Sequence, residues 1–450
     1  MILLILMLFT VFIGVNLLSL LGWRGPWYEK LGISFLLSSG LQSLLYFVVL
    51  TYGVKATLSS YSYFLLFFVL ISWLASRWIN TVTQPVTLSK SSPSKKTRAF
   101  AAACWAIIIL LFLVTAIYAT YRPVYSTDSI GLYDFRAKVI VATGIMSNIR
   151  SIDNWYAYPM FTTMVATILR LFGYENPSLF YPLMYFAFAV VFYANLRLRL
   201  SSAVASLFTL LMYATPITLW QSKLDGMTNL PYLVFYVIAI SFLGRYWHSK
   251  HNSAPLVLLS FTFLGFASWT RLTEPLWVVP VVLLIVSTFW KREWFFPVLS
   301  LGIFWSIRSV WPNFTHASYM SVVGATQSLL SNSTPSPRVR QLGLPVIILL
   351  AVKFVWSALV NSLSHLIYLF GLVGLVDLLR KLEQGQLYYL LTILGNLAIL
   401  LVSVIFVAKS YPDWYTLDNS FGRMISYLSP LIWLYLSNSP LWYRIKSWPK

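Results

Sequence analysis

Apolar runs of roughly 20 residues recur along this chain, separated by short polar connectors. They lie at 2–22, 33–52, 58–76, 99–119, 178–196, 203–220, 229–246, 254–270, 275–290, 294–310, 361–379, 386–408 and 424–441. Each is about long enough to cross a hydrocarbon core of ~30 Å as a helix. The pattern predicts an all-α, polytopic transmembrane helical bundle of about 13 spans. A membrane β-barrel would instead show ten-residue segments of alternating polarity, and the sequence has none. Residues 1–22 could be read as a signal peptide, but they lack a basic start and a second apolar run follows at once, so they are read as the first span.

Two further apolar stretches, 157–173 and 338–358, are shorter or interrupted by charges such as Arg170 and Lys353. Orientation follows from where Lys and Arg gather in short connectors. The 77–98 segment carries Arg77, Lys90, Lys95, Lys96 and Arg98 and is expected in the cytoplasm. The connectors with Arg197/Arg199, Arg245/Lys250, Lys291/Arg292 and Arg380/Lys381, and the tail with Arg444, Lys446 and Lys450, read the same way. These sides agree only if 157–173 and 338–358 do not cross and lie instead as interfacial helices at the outer face. The expected topology is therefore a multi-pass membrane protein with its N-terminus outside and its C-terminus cytoplasmic. Three blocks follow: 1–98, extra N-terminal helices and a basic cytoplasmic loop; 99–310, a core with a first outer loop at 121–156; and 311–450, an outer loop, an interfacial helix and the last spans.

Composition agrees. The chain of 450 residues is 59% hydrophobic, 17% aromatic and only 10% charged, far less charged than a soluble protein of this length. Its net charge of +20 is scattered among membrane loops. It therefore reads as a topology signal and not as a nucleic-acid surface. Cys104 is the single cysteine, so no intramolecular disulfide can form. His248, His251, His316 and His365 make no metal cluster by spacing.

The acids change the picture. With this topology Asp128, Asp134, Asp153, Glu175, Asp225, Glu274, Asp413 and Asp418 fall outside, whereas the inner face is almost purely cationic. Mixed charge at membrane depth is costly and usually functional. It is densest in "YSTDSIGLYDFRAKVIVATG", residues 125–144, where Asp128, Asp134, Arg136 and Lys138 follow a long apolar run. A carboxylate beside a bilayer can take a proton from an incoming hydroxyl, and nearby cations can hold a phosphate whose charge grows as it leaves. The same spacing also fits a simple i, i+4 pair of Asp134 and Lys138 on an interfacial helix. The residues alone leave both readings open.

The motif Asp128, Tyr133, Arg136-Ala137-Lys138, Gly144 and Tyr158-Pro159 resembles the first outer loop of GT-C superfamily glycosyltransferases. These are multi-spanning enzymes that use polyprenyl-phosphate sugars, and the likeness is to the bacterial branch related to protein mannosyltransferases and aminoarabinose transferases. The resemblance implies that Asp128, not Asp134, is the catalytic base, that Arg136 and Lys138 bind the donor phosphate, and that an interfacial segment follows at 157–173. Three further stretches match in order. "WYTLDNSFGRMISYLSP" (414–430) is similar to the family's C-terminal outer motif and implies Arg423 on the lipid phosphate. "WTRLTEPLW" (269–277) offers Arg271 for phosphate and Glu274 for substrate, with a spacing one residue longer than the family's. "WQSKLDGMTNLPYLVFY" (220–236) sits where the family commonly has Asp before Leu-Pro. Here that position is Asn229, and Asp225 lies four residues earlier, which puts a two-acid or metal-assisted mechanism in doubt. The resemblance spans most of 121–441.

The resulting expectation is an inverting glycosyltransferase at the non-cytoplasmic face, with Asp128 catalytic and Tyr133, Tyr158, Asp225 and Glu274 contributing to substrate binding. It implies a polyprenyl-phosphate-linked sugar donor, a lipid, glycan or protein acceptor, and no cofactor, although a divalent ion held by Asp128 and Asp225 stays open. Two rivals remain. An O-antigen ligase or polymerase using a lipid pyrophosphate would lean on Arg308, Arg338 and Arg340 around 311–342. A lipid-linked oligosaccharide flippase would place paired ionisable groups in mid-span, often in two related halves.

Overall fold

The computed structural model describes the chain except residues 1, 24, 79–93, 123, 125–127, 147–148, 150–157, 223–226, 250–252, 273–274, 316–343, 364, 381–383, 411–417 and 441–450. Among the described residues every regular element is helical. In chain order they are α1 (Ile2–Leu20), α2 (Trp27–Thr51), α3 (Leu58–Trp78), α4 (Lys95–Tyr121), a π-helical turn (Ser129–Asp134) and α5 (Phe135–Thr143). There follow α6 (Phe161–Leu171), α7 (Phe180–Arg197), α8 (Ser202–Tyr213), α9 (Pro216–Ser222), α10 (Asn229–His248) and α11 (Ala254–Thr270). The last are α12 (Val278–Lys291), α13 (Phe295–Thr315), α14 (Leu344–Leu363), α15 (His365–Arg380), α16 (Gln384–Ser410), α17 (Asp418–Ile425) and α18 (Leu428–Ser437).

Among the described residues, seven helices are long and apolar enough to cross a membrane, or eight if the bent pair α8–α9 counts as one broken span. Helices α11, α12 and α15, and the Ile5–Leu20 part of α1, are apolar but shorter. Of the stretch at 338–358, expected to stay at the outer surface, residues 344–358 form part of α14, whose Pro345–Leu363 segment is one of the seven by length and composition. Lys353 made it look unsuitable, yet a single cation on a 20-residue apolar helix can snorkel. Helix α6 keeps to the short length expected of it. Its 11 residues rise only about 16 Å.

Burial separates the helices by role. The spanning windows of α10 and α2 are 89% and 78% buried, those of α3 and α4 only 17% and 28%. Apolar helices so exposed, with Leu66, Phe67 and Leu70 more than half accessible, would be untenable patches in water. They are lipid-facing helices of a membrane-embedded protein.

The chain divides into two bodies, one of 1–272 with 294–311 and one of 273–293 with 312–449. In the first, α2 packs through small residues that let backbones approach. A Cβ at Gly14 would stand 2.2 Å from the Ser34 carbonyl oxygen, and one at Gly40 would stand 2.4 Å from the Phe266 ring. Trp269 donates its indole N–H to Ser43 at 3.1 Å. At the opposite end of α2, Glu29 pairs with Arg245 of α10 at 2.5 Å, and the Arg245 guanidinium lies 5.0 Å over the Trp23 ring. In the second body, Asp377 of α15 is wholly buried. It accepts hydrogen bonds from Gln386 at 2.6 Å, Ser439 at 2.9 Å and Tyr435 at 3.4 Å.

Candidate functional site

Asp128 stands at the start of the π-helical turn and is exposed. The wide turn runs directly into α5, which ends at Gly144 in the left-handed region (φ 69°), a conformation glycine adopts at little cost. The Gly144 amide closes on the Ile140 carbonyl at 2.8 Å, and its own carbonyl accepts from the Ala56 amide at 2.9 Å. The family-like glycine is thus a helix stop that ties this segment to the connector between α2 and α3.

Asp134 has a different fate from Asp128. Its carboxylate is 4% exposed and takes Lys138 on one oxygen at 2.8 Å and Arg170 of α6 on the other. The i, i+4 pair is real, and it belongs to a three-residue charge cluster. Arg170 delivers two N–H groups to the same oxygen, so α6 is bolted to the start of α5.

Arg136 and Lys138 do not converge. The Arg136 residue is 1% exposed, whereas the Lys138 side chain is 58% exposed. Arg136 donates to the Tyr158 carbonyl at 2.7 Å and approaches the Met160 sulfur at 3.8 Å. Its guanidinium also lies 5.4 Å over the Trp311 ring. Two positions apart on a helix, side chains point in widely different directions.

Four residues that sequence reasoning took from two separate stretches do meet. Tyr133 and Tyr158 pack edge to face with centroids 5.8 Å apart. The Arg271 guanidinium lies 5.5 Å over the Tyr158 ring, and Arg136 holds the carbonyl of that same tyrosine. Arg271 also donates to the Asn229 side-chain oxygen, and the Tyr133 hydroxyl pairs with Thr228 at 3.3 Å. Asn229 is thus a neutral acceptor for the cation. Burial first, then the neighbouring Tyr158, pushes the Tyr133 phenol above its ordinary range. Arg271, the Thr228 hydrogen bond and Arg136 pull it back only in part.

Arg308 is buried, donating to Ser268 at 3.1 Å and to the Leu272 carbonyl at 3.0 Å, and so secures the C-terminal end of α11. Arg338 and Arg340 lie outside the described residues, as do Asp225 and Glu274. Arg423 sits in the last turn of α17 in the second body and is half-buried. There α17 packs Phe421 on Phe354 of α14, with centroids 5.1 Å apart. Among the described residues, no three His, Cys, Asp or Glu side chains gather in a way that could hold a metal ion.

Sequence reasoning missed Arg170, Thr228 and Trp311. The only advance signal was Arg170, a cation interrupting an otherwise apolar stretch. Compared with protein-family models, with curated proteins and with solved structures, the chain matches none.

Proposed function

We propose that this protein is an inverting glycosyltransferase of GT-C type, with about 13 membrane crossings and its active site on the non-cytoplasmic face. The observation that supports it most is the meeting of Tyr133, Arg136, Tyr158 and Arg271 in the same body as an exposed Asp128. In this reading Asp128 is the base and Asp134 is structural, because both Asp134 oxygens are already occupied by cations.

The acceptor oxygen attacks the anomeric carbon as the bond from that carbon to the phosphate oxygen breaks. The bonding pair leaves with the polyprenyl phosphate, and the acceptor proton passes to Asp128. Lys138 and Arg271 supply the cations for the departing phosphate. Arg136 has a supporting role, setting the Tyr158 backbone and the Trp311 ring. The residues named here bind, orient and accept the proton.

The test is transfer from a panel of radiolabelled polyprenyl-phosphate sugars in reconstituted vesicles. Asp128→Asn is expected to lower transfer by about 10²–10⁴-fold while leaving expression unchanged, and full activity would remove the mechanism. In a Cys104→Ser background, a cysteine at position 128 should react with an impermeant reagent from the non-cytoplasmic side only.

A further inference from the structure

A cavity of about 200 Å³ lies in the first body between α1, α2, α6 and the start of α7. Leu6, Phe35, Val165, Ile168, Phe180 and Leu183 are among the apolar side chains of its wall. Met7, Leu169 and Leu179 add to it, and Tyr61 of α3 and Thr120 of α4 close one side. Of the polar lining, Ser39, Thr120 and Asn176 spend their donors on the carbonyls of Phe35, Ala116 and Ala119, while three side chains serve one another. Tyr61 donates its hydroxyl to the Gln42 side-chain oxygen at 2.8 Å. Gln42 donates to the Thr10 hydroxyl at 3.2 Å, and Thr10 to the Leu6 carbonyl at 2.8 Å.

A space whose polar lining is satisfied internally offers little to water. Apolar cavities of roughly 150 Å³ stay dry and accept small apolar guests. In a bundle whose outer helices face lipid, the fluid at hand is hydrocarbon, and a chain entering from the bilayer has no hydration to lose. The volume suits a stretch of one chain and is too small and too apolar for a sugar. We propose that this cavity is a built-in site for a single hydrocarbon chain of a membrane lipid, either the acyl tail of a phospholipid or the prenyl tail of an isoprenoid phosphate.

The site has a structural consequence of its own. Val165, Ile168 and Leu169 of α6 line it, and the next residue, Arg170, holds Asp134. A chain in the cavity therefore backs the helix that fixes the start of α5. The inference does not require the transfer reaction.

The experiment is native mass spectrometry of the full chain, reconstituted with a diacyl phospholipid alone or with added polyprenyl phosphate, then stripped with mild detergent. One lipid retained per chain is expected, and its mass distinguishes the two sources. Ser39→Phe from α2 and Ile168→Trp from α6 fill the space from opposite walls. Each should lower retention about tenfold, equivalent to ~1.4 kcal/mol. Leu66→Trp, on the exposed side of α3, should leave retention unchanged. If one filling variant fails to fold, the other decides. No retained lipid in the wild type, or equal retention in a folded filled variant, overturns the proposal.

Discussion

Replacing Arg170 by methionine is the sharpest probe of how α6 is held. The Asp134 side chain is 4% exposed and Arg170 13%, so the carboxylate loses its better-buried partner and stays out of water. Breaking such a pair from one side costs about 3–5 kcal/mol. Lys138 still reaches the second oxygen at 2.8 Å, which places Arg170→Met near the lower end, at ~3 kcal/mol. Lys138→Ala should cost only about 0.3–0.5 kcal/mol, because that side chain is mostly in solvent and the pair is an ordinary i, i+4 contact. The assay is unfolding by SDS titration in mixed micelles, followed by tryptophan fluorescence. Asp134→Asn combined with Arg170→Met should cost less than the two singles together, with a coupling of roughly 1–3 kcal/mol. Equal costs for Arg170→Met and Lys138→Ala, or strictly additive singles, would refute the buried three-residue cluster.

Arg245→Met should destabilise by about 3 kcal/mol or more, and by more than Glu29→Gln, since the glutamate left behind is only 1% exposed. The same titration orders the two. Gly14→Ala pushes a methyl into the Ser34 backbone and should cost about 1–3 kcal/mol. A matched Gly53→Ala change, where no neighbour lies within 4 Å, isolates backbone strain (φ 88°) from the clash. Tyr133 carries a raised folded-state pKa from burial, so its contribution is complete below the ordinary value of 10.0 and fades as pH climbs through the folded value. The wild type should therefore lose stability as pH rises from about 10 towards the folded value more steeply than Tyr133→Phe, as read from alkaline unfolding curves.

The helical membrane character was legible because apolar runs of spanning length need no tertiary information. The number of crossings was less legible. Hydropathy treated 254–270 and 338–358 as opposite cases, one a span and the other a surface helix. The structure makes the first a 17-residue helix and the second part of a 20-residue one. Where a helix starts depends on caps and packing that a hydropathy window averages away. At the site, the Asp134–Lys138 spacing announced itself, since i, i+4 neighbours are set by the helix alone. Arg170 reaching Asp134 across 36 residues was invisible, because it depends on how α6 is laid against α5. The adjacent basic residues Arg136 and Lys138 suggested one cradle, whereas helix geometry sends one to the core and the other to the surface.

Asp377 has a history written into its partners. Gln386 follows it by 9 residues, but Tyr435 and Ser439 come 58 and 62 residues later. Asp377 lies in the last turn of α15, so during synthesis its carboxylate waits on two of these three donors until α18 has been made. Helix α18 and the residues just after it are thus the latch of the second body: until they dock, Gln386 alone of these three donors is there to hold the acid.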